Sequence, residues 1–140
     1  MDYDPRHLAA VLLFNDGDYF EAHEVWEDLW AESHGRTRAF YQGLIQAAVG
    51  LCHFGNGNLR GAAKLYHSSR DYMKDCGPAF LGMDVAGFWR TMEACFRPVL
   101  GPVPPARDVR PDPALVPRID LDPPPESWPD PEPYLHEESS

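Results

Sequence analysis

Along roughly the first hundred residues, apolar and polar positions recur with helical spacing between turn signals, and the pattern predicts five helices. The first runs from about Pro5 to Asn15, with a stripe of Leu8, Val11, Leu12 and Asn15 behind a proline suited to the first helical position. Asn15-Asp16-Gly17-Asp18 reads as a turn, with Asp18 capping the second helix and Glu21 completing a capping-box-like pair. That helix should end near Ser33-His34-Gly35, and Thr37 is the expected cap of a third, reaching about Phe54. After Gly55-Asn56-Gly57, Asn58 caps a fourth helix to about Lys74. Gly77-Pro78 breaks the chain, and Asp84 opens a fifth helix, Val85 to Phe96, which Pro98 is expected to stop.

The third helix is apolar on nearly every side from Leu44 to Phe54, apart from Gln46 and His53. A helix without a polar face is surrounded by protein, so it should be central. Gly43 and Gly50, seven apart, would let a neighbouring helix come close. Short connections favour antiparallel neighbours. The expected fold is all-α, a compact antiparallel bundle of about five helices, with no convincing strand pattern and no solenoid repeat.

Proline divides the 140 residues. Only Pro5 and Pro78 precede residue 98, and the other thirteen lie from Pro98 onward. The expected organisation is a helical bundle domain over 1–97 and an extended, proline-rich acidic tail over 98–140. Ile119 and Leu121, or Trp128 and Tyr134, could dock on the bundle, whereas beyond about Pro123 a flexible acidic segment is the favoured expectation. Charge is acidic throughout, with a net of −10 for the chain. That field repels phosphate and anionic lipid, so neither nucleic acid nor membrane is an expected partner. Aromatic content is compatible with a homodimer, and no small-molecule ligand can be named from the residues.

Cys52, Cys76 and Cys95 are odd in number and lack C-x-x-C spacing, which argues against a disulfide framework and a thiolate zinc site. MDYDPRHLAA does not read as a secretory signal, and no stretch approaches the roughly 20 apolar residues of a membrane span. The expected location is cytoplasmic.

Candidate chemistry concentrates on the second helix. With His23 at 0° on a wheel, Trp30 falls at about −20°, Glu27 about +40°, Tyr19 about −40°, Phe20 about +60° and Trp26 about −60°. His23 and Glu27 are therefore expected amid an inward aromatic face, with Glu24 at its edge and Glu21, Asp28 and Glu32 facing water. A buried carboxylate needs a partner or stays protonated. His and Glu four apart can touch, and both are metal-ligand types. Gln42, Gln46 and His53 form a polar stripe on the third helix that could face them. His7, His34, His67 and His136 read as surface or helix-end residues.

The run FNDGDYFEAHEVWEDLW, followed by YQGLIQAAVGLCHFGNGNLRGAAKLY, resembles the bacterial and archaeal family catalogued as domain of unknown function 309. Its H-x-x-x-E-x-x-W hallmark is matched by His23, Glu27 and Trp30, and the similarity covers roughly residues 7 to 75. The resemblance implies an all-helical bundle and a metal role for the motif residues, without a reaction.

The leading expectation is a metal-binding or hydrolase-like site with His23, Glu27 and His53 as ligands to zinc or iron. Tyr19, Glu24, Trp26, Trp30, Gln42 and Gln46 would line it. Two nitrogens and a carboxylate recur in catalytic sites. Residues 23–27 read H-E-V-W-E, an imperfect H-E-x-x-H in which Glu27 replaces the second His, and the edge position of Glu24 only weakly allows it the general-base role. The alternative is a non-enzymatic helical interaction or scaffold module in which a buried His-Glu-Gln cluster is structural.

Overall fold

Asp4 begins the first helix by accepting the Arg6 N–H at 2.9 Å, and Pro5 follows at a position where no donor is needed. In the computed structural model, which describes residues 1–136, this helix is α1, Pro5–Asn15. It is succeeded by α2, Tyr19–Glu32, α3, Gly35–Gly55, and α4, Leu59–Met73. A hairpin of β1, Ala79–Phe80, and β2, Met83–Asp84, leads into α5, Val85–Leu100. The fold is all-α apart from that hairpin. The central position expected for α3 is observed: it packs between α2 and α4, α1 lies on α2, and α5 lies on α4.

The end signals succeed where a side chain reaches an orphan amide. Asn58 accepts from Gly61 at 3.0 Å and Asp84 from Gly87 at 2.9 Å. Two capping expectations are corrected. Asp18 stands at the start of α2, but its carboxylate makes no capping bond, and the Ala22 N–H is taken by the Asp18 carbonyl. Burial and the neighbouring Glu21 and Asp16 raise its pKa, so the carboxylate sits in an unfavourable field. Thr37 lies inside α3, which begins at Gly35 because that glycine takes a positive φ of 59° after an extended His34. Nor does Pro98 stop α5. It occupies the last turn of the helix, where its missing N–H costs a single bond, to the Ala94 carbonyl, and only two helical residues follow it.

The hairpin was not expected, since two residues per strand are too few to show alternation. Ala79 pairs with Asp84 and Phe80 with Met83, and Leu81 and Gly82 both take positive φ at the turn, the backbone a two-residue loop requires.

The proline-rich segment packs along the bundle. Ile119 and Leu121 are buried, and the Asn15 amide brackets Ile119, accepting from its N–H at 2.8 Å and donating to its carbonyl at 2.9 Å. Leu121 bridges Met83, the Asp122 N–H donates to Gly82, and the Tyr3 hydroxyl donates to the Pro123 carbonyl at 2.6 Å. Trp128 stays largely exposed, while Tyr134 and Leu135 pack at the margin of the core. Up to His136 the segment is thus laid on the bundle where flexibility was expected beyond Pro123. A few apolar side chains and backbone bonds hold it, a possibility that proline content alone conceals. The last four residues of the expected tail, 137–140, lie outside the described residues.

The two glycines of α3 differ. A Cβ on Gly43 would lie 2.1 Å from Met73 Cγ and 3.3 Å from the Ser69 carbonyl, whose own hydroxyl donates to the Gly43 carbonyl at 2.5 Å. A Cβ on Gly50 would make ordinary contacts, the nearest 3.5 Å away at Leu65. Gly43→Ala should therefore lose about 1–3 kcal/mol despite its better helix propensity. Gly50→Ala should be neutral or gain up to about 1 kcal/mol. Urea unfolding midpoints check this, and equal effects at the two sites would contradict the close approach.

Candidate functional site: the outward face of α2 and the groove beside it

The buried arc of α2 is Ala22, Val25, Trp26 and Leu29. Its middle lies about 110° from His23 and about 150° from Glu27 at 100° per residue. The inward placement is accordingly corrected for Glu27, whereas His23 stays mostly buried at the edge of the packed face. The Glu27 side chain is 52% exposed and that of His23 13%, and Phe20, counted among the inward aromatics, is exposed. The inward arc combines the Trp26 indole with the smaller Ala22 and Val25, while Phe20 lies outside it and is exposed.

Residues of the expected site are partly brought together. His23 Nε2 lies 3.6 Å from Glu27 Oε1, while its Nδ1 is engaged by the Phe20 carbonyl. Trp30 is half-buried beneath the Arg38 guanidinium, 3.9 Å from the ring centroid. Tyr19 packs edge-on against Phe14, and burial pushes its hydroxyl up to about 12. Trp26 belongs wholly to the core. On α3, Gln42 shares a groove with Glu27, whereas the Gln46 Oε1 is buried with no partner among the described residues. His53 is engaged elsewhere, its Nδ1 3.3 Å from Asn58 Nδ2 at the start of α4. The buried His-Glu-Gln cluster is thus not formed: Glu27 faces solvent and Gln46 has no imidazole to bond. Nor, among the described residues, does any group of three or more His, Cys, Asp and Glu side chains have a geometry that could hold a metal ion. His23, Glu27 and His53 do not fit a three-donor centre as they stand.

The groove itself has about 680 Å³ of space. Glu27, Asp28, Trp30 and Ala31 of α2 border it, with Gln42 and Ile45 of α3 and the half-exposed Tyr72 of α4. Its apolar surface is therefore aromatic, and its charge is acidic. Along α2 stand Glu21, Glu24, Glu27, Asp28 and Glu32, without one Lys or Arg. Arg6 reaches Glu32 at 2.8 Å. His136, from the C-terminal segment, reaches Asp28 at 2.9 Å and Glu24 at 3.5 Å, and the hydrogen bond to Asp28 raises its pKa. Glu24, expected to line the site, is taken up by that imidazole.

One buried titratable group escaped the sequence reading. His7 is 1% exposed, ringed by Trp26, Phe40 and Tyr41, and its Nδ1 accepts the Trp26 indole N–H at 3.0 Å. The signal was present: His7 precedes Ala10, Val11 and Phe14 by three, four and seven residues, all on the buried face. With Nδ1 accepting, the proton of the neutral ring sits on Nε2, which has no partner among the described residues.

Helical bundle, motif and lateral groove together define a small helical domain. Residues 8–65 match the family model described as Domain of unknown function (DUF309), in agreement with the resemblance read from the motif. An "Uncharacterized protein" of Aquifex aeolicus (strain VF5) is 32% identical over 77 residues, 54% of this chain and 23% of that protein. "Uncharacterized protein YpuF" of Bacillus subtilis (strain 168) is 42% identical over 53 residues, 37% of this chain and 30% of that protein. The matched stretch spans less than a third of either relative's length.

Burial drives the His7 pKa down to about 4 against the pull of Asp4. The unfolded chain, with an ordinary value near 6.5, binds the proton first. Stability from the neutral ring is complete above about pH 6.5 and falls as pH drops toward about 4, by roughly 3 kcal/mol in all. Thermal melts across that window should show a decline in the parent that flattens in His7→Phe; identical pH profiles would contradict the assignment.

Proposed function

We propose that this chain is a non-enzymatic helical interaction module and that the groove bordered by α2, α3 and α4 is its docking surface. The observation carrying the reading is the placement of Trp30, Ile45 and Tyr72 in one open groove beside Glu27 and Asp28. Open aromatic side chains with polar neighbours are the composition of binding surfaces. The H-x-x-x-E-x-x-W residues then contribute recognition: Glu27 and Trp30 face the groove, and His23 holds the Glu27 carboxylate from behind. Matching only part of longer relatives is consistent with a module that works beside other domains.

The competing proposal is the metal-dependent, hydrolase-like site of His23, Glu27 and His53, with zinc or iron. In its favour is the His23–Glu27 edge, which offers two donors 3.6 Å apart. Against it is the want of a third donor among the described residues.

A photoreactive residue in place of Tyr72, and another at the exposed Val103, separates the readings in living cells. A single protein cross-linked from position 72 and not from 103 is the expected result, and the Trp30→Ala change should abolish it. Elemental analysis of untagged protein completes the test. Near one metal per chain, lost in His23→Ala, with no cross-link from position 72, would overturn the interaction reading.

A further inference from the structure

Resting on the groove reading, we propose that the occupant is a basic amphipathic helix, its aliphatic face on Trp30, Ile45 and Tyr72 and its Lys or Arg side chains on Glu27 and Asp28. Three observations carry this. The walls are helices, and Ile45 lies between Trp30 on one side and Tyr72 on the other, the arrangement that receives the aliphatic anchors of a helix. Its size, about 680 Å³, falls within the roughly 300–1,000 Å³ of ordinary binding clefts. Third, charge selects among partners. Among the described residues the rim residue Glu27 pairs with no Lys or Arg, only with the His23 imidazole and, at longer range, His136, and Arg38, the nearby guanidinium, lies over the Trp30 ring.

Charge also argues against self-association through this face. A second copy carries a net of −10 and would set one acidic rim against another. The chain itself supplies a small precedent for the favoured sign. Its C-terminal segment brings one imidazole to this wall, His136, and that ring lies on Asp28 and Glu24, which favour its protonated form. A Lys or Arg from outside would meet the same carboxylates and keep its charge at every physiological pH.

The test uses the full chain and a designed helical peptide of about 20 residues, leucine on one face and lysine on the other, with a glutamate-for-lysine version as control. Two-dimensional NMR at moderate salt follows the Trp30 indole resonance, assigned through Trp30→Phe. The lysine peptide should shift Trp30, and its dissociation constant should rise about tenfold in both Glu27→Lys and Tyr72→Ala. Asp112→Lys, remote on the C-terminal segment, should change it less than about twofold. A dissociation constant equal in Glu27→Lys, Tyr72→Ala and Asp112→Lys marks diffuse attraction to an acidic protein and overturns the proposal. If instead the glutamate peptide, or raised protein concentration with dimerisation in sedimentation, perturbs Trp30, the groove reading survives and the basic partner does not. Should none of the three perturb Trp30, both fail.

Discussion

One contact between two buried rings sets the rotation of α2, and with it what the spacing of His23, Glu27 and Trp30 can do. Trp26 inserts its indole beneath α1 and donates its N–H to His7 Nδ1. A buried indole donor left without an acceptor costs about 1–3 kcal/mol, and a residue's slip would turn the helix by about 100°. Ala22, Val25 and Leu29 share the inward arc, so Glu27 is carried to the far side. The motif is displayed because Trp26 is buried. The same contact explains why a histidine stays in the core: its ring is the acceptor that the tryptophan needs, and its own remaining N–H bears the cost.

Much of the fold was legible. Periodicity located five helices, and Asn58, Asp84 and Pro5 marked their starts, because each acts within one turn of its own position. The hairpin was not legible, since pairing Phe80 with Met83 leaves no periodic trace. The helix wheel of α2 gave the right relative angles and the wrong centre. It centred the inward face on His23, whereas the buried arc of Ala22, Val25, Trp26 and Leu29 is centred about 110° away. His53 and Gln46 share a stripe on α3, yet His53 meets Asn58 while the Gln46 Oε1 has no partner among the described residues. A wheel projects that length away. The His23–Glu27 spacing survived as a contact but not as a buried one.

Burial and charge divide the surface of α2 into two tasks. Toward α1 the helix is apolar, and stability comes from close packing, as it does where α4 meets α3 at Gly43. Toward solvent it is acidic, with Arg6 and His136 engaging its carboxylates at scattered points. Exposed ion pairs contribute little to folding, so the acid-rich outer face is weakly explained by stability. Recognition explains it better, because carboxylates beside open aromatic rings can select a partner by charge and hold it by apolar area.

Indole hydrogen exchange reports the rotation of α2 most directly. With Trp26 sealed against His7, its N–H should exchange only through global unfolding, orders of magnitude more slowly than that of Trp30. Trp30 in slow exchange with Trp26 in fast exchange would place the motif in the core and contradict the account.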